Sequence, residues 1–129
     1  MKSISIDTNI YVAFKLGEEE VIKTLKHYDV IGIDTTVLAE LLSGFALGNK
    51  NKKNISDLEN FLNTPRIKIL EHNFNTAEYY ATIFKSLKLK GSPIPTNDIW
   101  IAASTIQHGF SLYTKDKHFQ KIENLLLVN

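Results

Sequence analysis

Residues 3–10 carry a short strand pattern that ends directly on an acid, in the order SISIDTNI. Ile4 and Ile6 alternate with serine, which is typical of a β-strand, and Asp7 follows at once. Along the chain, a β-rich run is followed by a helical pattern three times. The strand and helix ranges are 4–6 with 18–27, 30–33 with 36–47, and 67–70 with 75–89. Two more strands are predicted at residues 111–114 and 125–128. This alternation predicts an α/β domain of three layers, α/β/α, with a central parallel sheet of about five strands.

The composition predicts one globular domain. The 129 residues are 43% hydrophobic and 22% charged, with a formal net charge of +1, which suits a packed core of ordinary domain size. We therefore expect a single domain over residues 1–129. There is no cysteine, which excludes a disulfide framework, a thiolate zinc site and a cysteine nucleophile. Neither a signal peptide nor an apolar run of about 20 residues is present, so we expect a cytoplasmic protein with no membrane segment.

Two helix starts can be predicted from local signals. Ser56 and Glu59 have the spacing of a capping box, which predicts a helix that begins near Ser56 after a polar loop. A second helix is predicted to open at Asn97, because apolar residues recur behind it at three- and four-residue spacing until Gly109.

Acids follow two of the predicted strands. Asp7 comes directly after the first strand, and Asp116 comes shortly after the strand at residues 111–114. Because the carboxyl ends of parallel strands form the ligand crevice of an open sheet, both carboxylates are expected at the same edge. Taken alone, an aspartate after a strand is equally well explained as a helix cap or a turn former.

Two helical acids join this set. Glu40 is the one charge in an apolar helical run, a position that is seldom charged without a partner. Its structural alternative is an ion pair with a lysine or arginine from another element. Asp98 lies in the first turn of its helix, where the helix dipole favours an anion, so capping alone could explain it. Asn97 is an equally good cap, which would free Asp98 for another role.

Together, these four carboxylates predict a metal site. Crowded acids repel one another unless a cation lies among them. Ligands that are all oxygen favour Mg²⁺ or Mn²⁺, whereas Zn²⁺ prefers histidine or cysteine and Ca²⁺ usually takes a fuller oxygen cage.

Four motifs in order along the chain resemble those of PIN-domain nucleases of the VapC kind. They are residues 6–10 (IDTNI), 40–44 (ELLSG), 97–103 (NDIWIAA) and 114–119 (TKDKHF), with the connector KGSPI at residues 90–94 ahead of the third. The resemblance extends from Ser3 to nearly the end of the chain, and no acid of the family's quartet is missing.

The resemblance implies a metal-dependent endoribonuclease, the toxin of a VapBC-type toxin-antitoxin pair. Asp7, Glu40, Asp98 and Asp116 would be the catalytic acids and would hold one or two Mg²⁺ or Mn²⁺ ions, supported by side chains of Thr8, Asn9 and Thr114. In such enzymes a metal activates water for attack on phosphorus, so no side-chain nucleophile is needed.

Further expectations about partners come from the same resemblance. The RNA substrate would be a structured one, such as a tRNA or rRNA loop. The partner would be a VapB-like antitoxin, laid over the region of Phe45, Ala46 and Leu47, and the protein would be a homodimer. Ordinary packing of a helical hairpin is the alternative explanation of those three apolar residues.

Six lysines are candidate contacts for the RNA backbone: Lys50, Lys52, Lys53, Lys90, Lys115 and Lys117. Solvated helix faces and loops explain each cluster equally simply. His118 adjoins Asp116, but the four histidines lack metal-ligand spacing, so we expect it to anchor a turn or lie on the surface. Trp100, Tyr79 and Tyr80 could stack RNA bases, although their helical spacing is more typical of a core or an interface.

Three other functions stay open. A receiver-like domain with a phosphoacceptor aspartate would expect adjacent acids after the first strand, where this chain has Asp7 and Thr8. A non-catalytic PIN-like module that binds RNA or protein would have no use for four crowded acids. A stand-alone RNA-processing nuclease would use the same site as a toxin.

Overall fold

A computed structural model describes residues 1–128 as a three-layer α/β/α fold around one parallel sheet. In chain order the elements are β1 (Ser3–Ile6), α1 (Thr8–Lys15), α2 (Glu19–Lys26), β2 (Val30–Asp34), α3 (Thr35–Leu47), α4 (Asn51–Leu62), β3 (Ile67–Leu70), α5 (Phe74–Lys90), α6 (Thr96–Gln107), β4 (Ser111–Tyr113) and a 3-10 helix (Lys117–Lys121). Within residues 1–128, no helix is both long and apolar enough to cross a membrane.

The sheet forms the centre of the core because its strands are apolar on both faces. Ile4, Ile6, Ile31, Ile33 and Leu112 are fully buried or nearly so, as expected for parallel strands that helices cover on each side. The predicted parallel α/β fold is therefore confirmed, with four strands in the sheet. The stretch predicted as a fifth strand contributes a single bridge, in which Leu127 pairs with Leu112.

The strand order positions the site. The order is β3-β2-β1-β4, so β1 lies between the strand that follows it in sequence and the last strand of the chain. The direction of winding reverses between β1 and β4, which is the switch point where open α/β sheets bind ligands. The backbone N–H of Asp7 donates to the carbonyl of Tyr113 at 3.0 Å, which continues the β1–β4 pairing past the end of β1.

Local sequence explains where several helices begin and end. Helix α1, which the strand and helix patterns did not predict, starts directly after Asp7, whose side chain caps it. The prediction that α4 begins near Ser56 is wrong, because the helix already starts at Asn51. Lysines favour the helix in this polar segment, and Lys53 bonds Asp57 one turn later at 2.9 Å. Helix α6 starts at Thr96 with Pro95 as its cap residue, so Asn97 is not the cap.

Gly32 is required by the packing of β2 against its neighbours. A Cβ atom there would lie 2.8 Å from Cδ1 of Leu70 and 2.9 Å from Cε2 of Phe110. Both distances are shorter than carbon atoms tolerate, so any side chain at this position would displace the core next to the sheet.

Candidate active site

The four predicted acids lie around one cavity at the carboxyl ends of β1 and β4. The cavity has a volume of about 520 Å³, and Asp7, Glu40, Asp98 and Asp116 all line it. They come from the end of β1, from α3, from α6 and from the segment after β4. The fold thus brings together side chains that are more than 100 positions apart in the sequence.

Asp7 is the most firmly held of the four acids, and it is 3% exposed. Its Oδ1 accepts the backbone N–H of Thr8 at 2.8 Å, which is the cap of α1. Its Oδ2 accepts the hydroxyl of Thr114 at 2.7 Å and the side-chain amide of Asn9 at 3.4 Å. The predicted supporting residues therefore contact this carboxylate, which caps a helix and faces the cavity at the same time.

Glu40 is held from two sides. The hydroxyl of Thr8 donates to Oε1 at 2.5 Å, and the side-chain amide of Asn97 donates to Oε2 at 3.4 Å. Its partners are thus neutral donors from α1 and α6. The alternative of an ion pair with lysine or arginine is not what the structure shows at this position.

Asp98 and Asp116 share a contact with a histidine. Nε2 of His118 lies against Oδ2 of Asp98 and 3.9 Å from Oδ2 of Asp116. The expectation that His118 only anchors a turn or lies on the surface is therefore incomplete, because its ring lies beside two of the acids that line the cavity. The neighbouring Phe119 is fully buried and fastens the 3-10 helix to the core.

Burial and mutual repulsion disfavour the charged forms of two of these acids. Burial raises the pKa of Asp98 to about 6, and Asp7 and Asp116 add to the increase while His118 opposes it. Burial also raises the pKa of Asp7, with further contributions from Asp116 and Glu40, against the hydrogen bonds from Thr114 and Thr8. A cation placed among these carboxylates would remove the repulsion and favour their charged forms.

The donor set suits a hard divalent ion. All four acids offer carboxylate oxygen, the ligand that Mg²⁺ and Mn²⁺ prefer, and two of them are buried acids that repel their neighbours. Over residues 1–128, however, no three acidic or histidine side chains are drawn together into a ready-made coordination group. The four acids therefore suit such an ion by their oxygen ligands and by the cavity they share, and His118 lies against one of them, Asp98.

The six predicted RNA-contact lysines fall into two groups. Lys115 lines the acid cavity, where its Nζ bonds Glu18 at 2.8 Å, and Lys117 is exposed at the start of the 3-10 helix. Lys117 follows Asp116 directly but is not part of the lining, and the other four lysines also lie outside it. Lys50, Lys52 and Lys53 are at the start of α4, and Lys90 ends α5, with its Nζ bonded to the carbonyl of Lys121 at 2.8 Å.

The sequence patterns did not single out a second cavity beside the first. Its volume is about 610 Å³, and Glu40, Asn97, His72 and Trp100 are part of its wall. Asp34, at the carboxyl end of β2, is fully buried, and its Oδ1 lies 2.8 Å from Nε2 of His72, a residue of that wall. The strand-end argument that located Asp7 applies equally to Asp34 and could have drawn attention to it.

Comparison with known proteins gives one consistent result. The sequence pattern described as "PIN domain" matches residues 4–125. The chain is 34% identical over 109 residues to Ribonuclease VapC2 of Rickettsia felis, which covers 84% of this chain and 80% of that protein. It is 35% identical over 123 residues to Ribonuclease VapC1 of the same organism, which covers 93% of this chain and 90% of that protein.

A solved structure gives the same picture for the fold. The chain is similar to one chain in the crystal structure of VapBC2 from Rickettsia felis, which was solved with a DNA fragment from the VapBC2 promoter. The TM-score is 0.88 at 32% sequence identity, and the match covers 98% of each chain.

Proposed function

Because the chain belongs to the PIN domain family, we propose that it is an endoribonuclease of the VapC kind that depends on a divalent metal. The observation that supports this proposal most strongly is the single cavity lined by Asp7, Glu40, Asp98 and Asp116. Two relatives that match most of the chain are named ribonucleases. The complete acid set at the switch point of the sheet suits phosphodiester hydrolysis.

We assign the four acids as ligands of one or two Mg²⁺ or Mn²⁺ ions. When held by these acids, such an ion would supply an activated water for attack on phosphorus and would offset charge on the phosphate oxygens. The chain's own side chains orient the carboxylate ligands. The hydroxyl of Thr114 and the amide of Asn9 orient the carboxylate of Asp7, while Thr8 and Asn97 orient that of Glu40. Hydrogen bonds of this kind hold ligands in place before the metal binds.

The partners follow from the same assignment. We propose a VapB-like antitoxin as the protein partner, since the solved relative is a VapBC complex. The exposed apolar side chains of Leu42 and Leu47, on α3, suit such a contact. A structured RNA such as a tRNA or rRNA loop, a homodimer, a cytoplasmic location and a single PIN domain over residues 1–129 complete the proposal.

Purified, antitoxin-free protein incubated with total cellular RNA tests the activity. We expect cleavage with Mn²⁺ or Mg²⁺, no cleavage with chelator, and no cleavage by Asp7→Asn or Asp98→Asn protein. Glu78 is exposed and lies outside the lining of the acid cavity. Glu78→Gln is therefore the matched control and should cut normally. Equal cutting by all variants, or cutting in chelator, would reject the site. Calorimetric titration with Mn²⁺ gives the number of ions independently of activity.

Two other functions make different predictions in the same experiment. A non-catalytic PIN-like module would bind RNA without cutting it, with or without metal. A stand-alone RNA-processing nuclease would cut as proposed, but expressing it without a partner would not stop growth. A growth arrest that Asp7→Asn abolishes would support the toxin.

A further inference from the structure

We propose that the second cavity receives a nucleobase of the RNA, next to the phosphodiester that the acids cleave. This inference rests on the proposed ribonuclease function. The two cavities are adjacent because Glu40 lines both of them. Asn97, which donates to Glu40 at 3.4 Å, also stands in the wall of the second cavity. An RNA strand with its phosphate at the acids therefore has a neighbouring nucleotide within reach of this cavity.

Two stacked aromatic side chains, His72 and Trp100, stand in the wall of this cavity, and Tyr80 packs against Trp100 from outside its lining. The imidazole of His72 and the indole of Trp100 have centroids 4.4 Å apart and planes that differ by 13°. The ring of Tyr80 lies 4.4 Å from Trp100 at a tilt of 40°. His72 and Trp100 are half-buried, so part of the pair faces the cavity. Aromatic surfaces of this kind bind bases of single-stranded RNA, because every base has a flat π face.

A buried carboxylate fixes the imidazole in place. Asp34 is fully buried, and its two oxygens lie 2.8 and 3.0 Å from Nε2 of His72. Its Oδ2 also accepts the backbone N–H of Thr36 at 2.7 Å. A ligand therefore meets a ring that is already oriented, which lowers the entropy cost of binding. Since Nε2 is engaged, Nδ1 is the ring atom left for a hydrogen bond with a ligand.

The polar groups of the wall suit a base better than a phosphate. The lining includes the hydroxyls of Thr35 and Ser43 and the amide of Asn97, and it contains no lysine or arginine. A phosphate would find neither lysine nor arginine there, and Glu40 would repel it. A neutral base can use hydroxyl and amide groups for hydrogen bonds while its ring contacts the aromatic pair.

Trp100 is the single tryptophan of the chain, so its fluorescence reports on this cavity directly. We would titrate Asp7→Asn protein with a fluorescently labelled single-stranded RNA of mixed sequence. The anisotropy of the label and the emission of Trp100 would be followed separately. Binding should change the emission of Trp100, with the same Kd as the anisotropy gives.

Variants then test whether the contact matters. Trp100→Leu should weaken RNA binding about tenfold, the loss expected of one base stack, and Trp100→Phe should weaken it less. Phe74→Leu is the matched control, because Phe74 is exposed at the start of α5 outside the lining of this cavity, and it should bind RNA normally. With the four acids intact, Trp100→Leu should raise KM and leave kcat within about twofold. Circular dichroism checks that each variant is folded.

The outcomes separate this inference from the proposed function. RNA that binds without changing the emission of Trp100, and equally well to Trp100→Leu, overturns the base site but leaves the ribonuclease in place. An emission change caused by purified antitoxin and not by RNA assigns the cavity to the protein partner and also overturns the inference. Protein that neither binds nor cuts RNA overturns both.

Discussion

Nε2 of His118 lies against Oδ2 of Asp98 and 3.9 Å from Oδ2 of Asp116, so one imidazole stands beside two of the four acids. It belongs to the 3-10 helix that follows β4, whereas Asp98 belongs to α6. The contact offsets part of the cost of burying Asp98. The remaining cost still raises the pKa of that carboxyl to about 6.

The first prediction concerns the stability of the metal-free protein. Because the pKa of Asp98 is about 6 when folded and 3.8 ordinarily, the folded state holds its proton more tightly than the unfolded state. The stability that this proton contributes is complete below about pH 4 and is lost as the pH rises through 6. Asp98→Asn should therefore be more stable than the unaltered protein at pH 8, by about 1–2 kcal/mol.

Urea unfolding in chelator at pH 4, 6 and 8 measures this difference, which should shrink towards pH 4. Glu78→Gln, at an exposed acid on α5, is the matched control. If Asp98→Asn is no more stable than the unaltered protein at pH 8, burial of the charge is not costly at this site. Saturating Mg²⁺ should stabilise the unaltered protein more than the variant.

The second prediction concerns Thr114, whose hydroxyl donates to Asp7 at 2.7 Å and accepts the N–H of Asp116 at 3.0 Å. Thr114→Val keeps the shape and removes both hydrogen bonds. We expect the affinity for Mn²⁺, or the rate of RNA cleavage, to fall about 10- to 100-fold. This is the usual loss when a group that orients a metal ligand is removed. Thr114→Ser should restore most of it. Thr82→Val, on the exposed part of α5, is the control.

The third prediction tests which of the six lysines contact RNA phosphates. If Lys115 and Lys117 contact RNA phosphates beside the acid cavity, each change to alanine should weaken binding to all RNA sequences alike. Each should also reduce the slope of log K against log salt by about 0.7. Lys68, exposed on the β3 edge of the sheet away from β4, is the control. An unchanged salt slope for both variants would place the RNA backbone elsewhere, with the α4 lysines the next to test.

The fourth prediction tests the packing of β2. Gly32→Ala would force its Cβ against Leu70 and Phe110, and we expect a loss of about 1–3 kcal/mol in the free energy of unfolding. Gly44→Ala is the matched change, because a Cβ there meets no atom within 4 Å in the interior of α3. It should be neutral or stabilising by up to about 1 kcal/mol. Similar effects for the two variants would contradict the close approach at Gly32.

Much of the site could be predicted from sequence because simple rules govern it. Parallel strands deliver Asp7 and Asp116 to one edge, and a lone charge in an apolar helix marked Glu40. Asp98 rested on the motif, since capping explained it nearly as well. The structure gives the cap of α6 to Pro95 and leaves Asp98 facing the cavity.

The remaining features depend on packing that spacing does not encode. His72 and Asp34 are 38 positions apart, and their contact exists only because the segment after β3 folds over the end of β2. The contact of His118 with Asp98 depends on how the 3-10 helix turns after β4. The predicted start of α4 near Ser56 is wrong because a polar, lysine-rich segment is equally compatible with a loop and with an exposed helix.

The hydrogen bond from Thr114 to Asp7 joins residues 107 positions apart. This separation in sequence matters while the chain is being translated. Asp7 is translated well before Asp116. A nascent chain therefore has no complete acid set until position 116 has been synthesised. Ribosomal stalling or a premature stop codon before position 116 yields a product without the fourth acid, so the cell making this protein is not exposed to unfinished copies with a whole site.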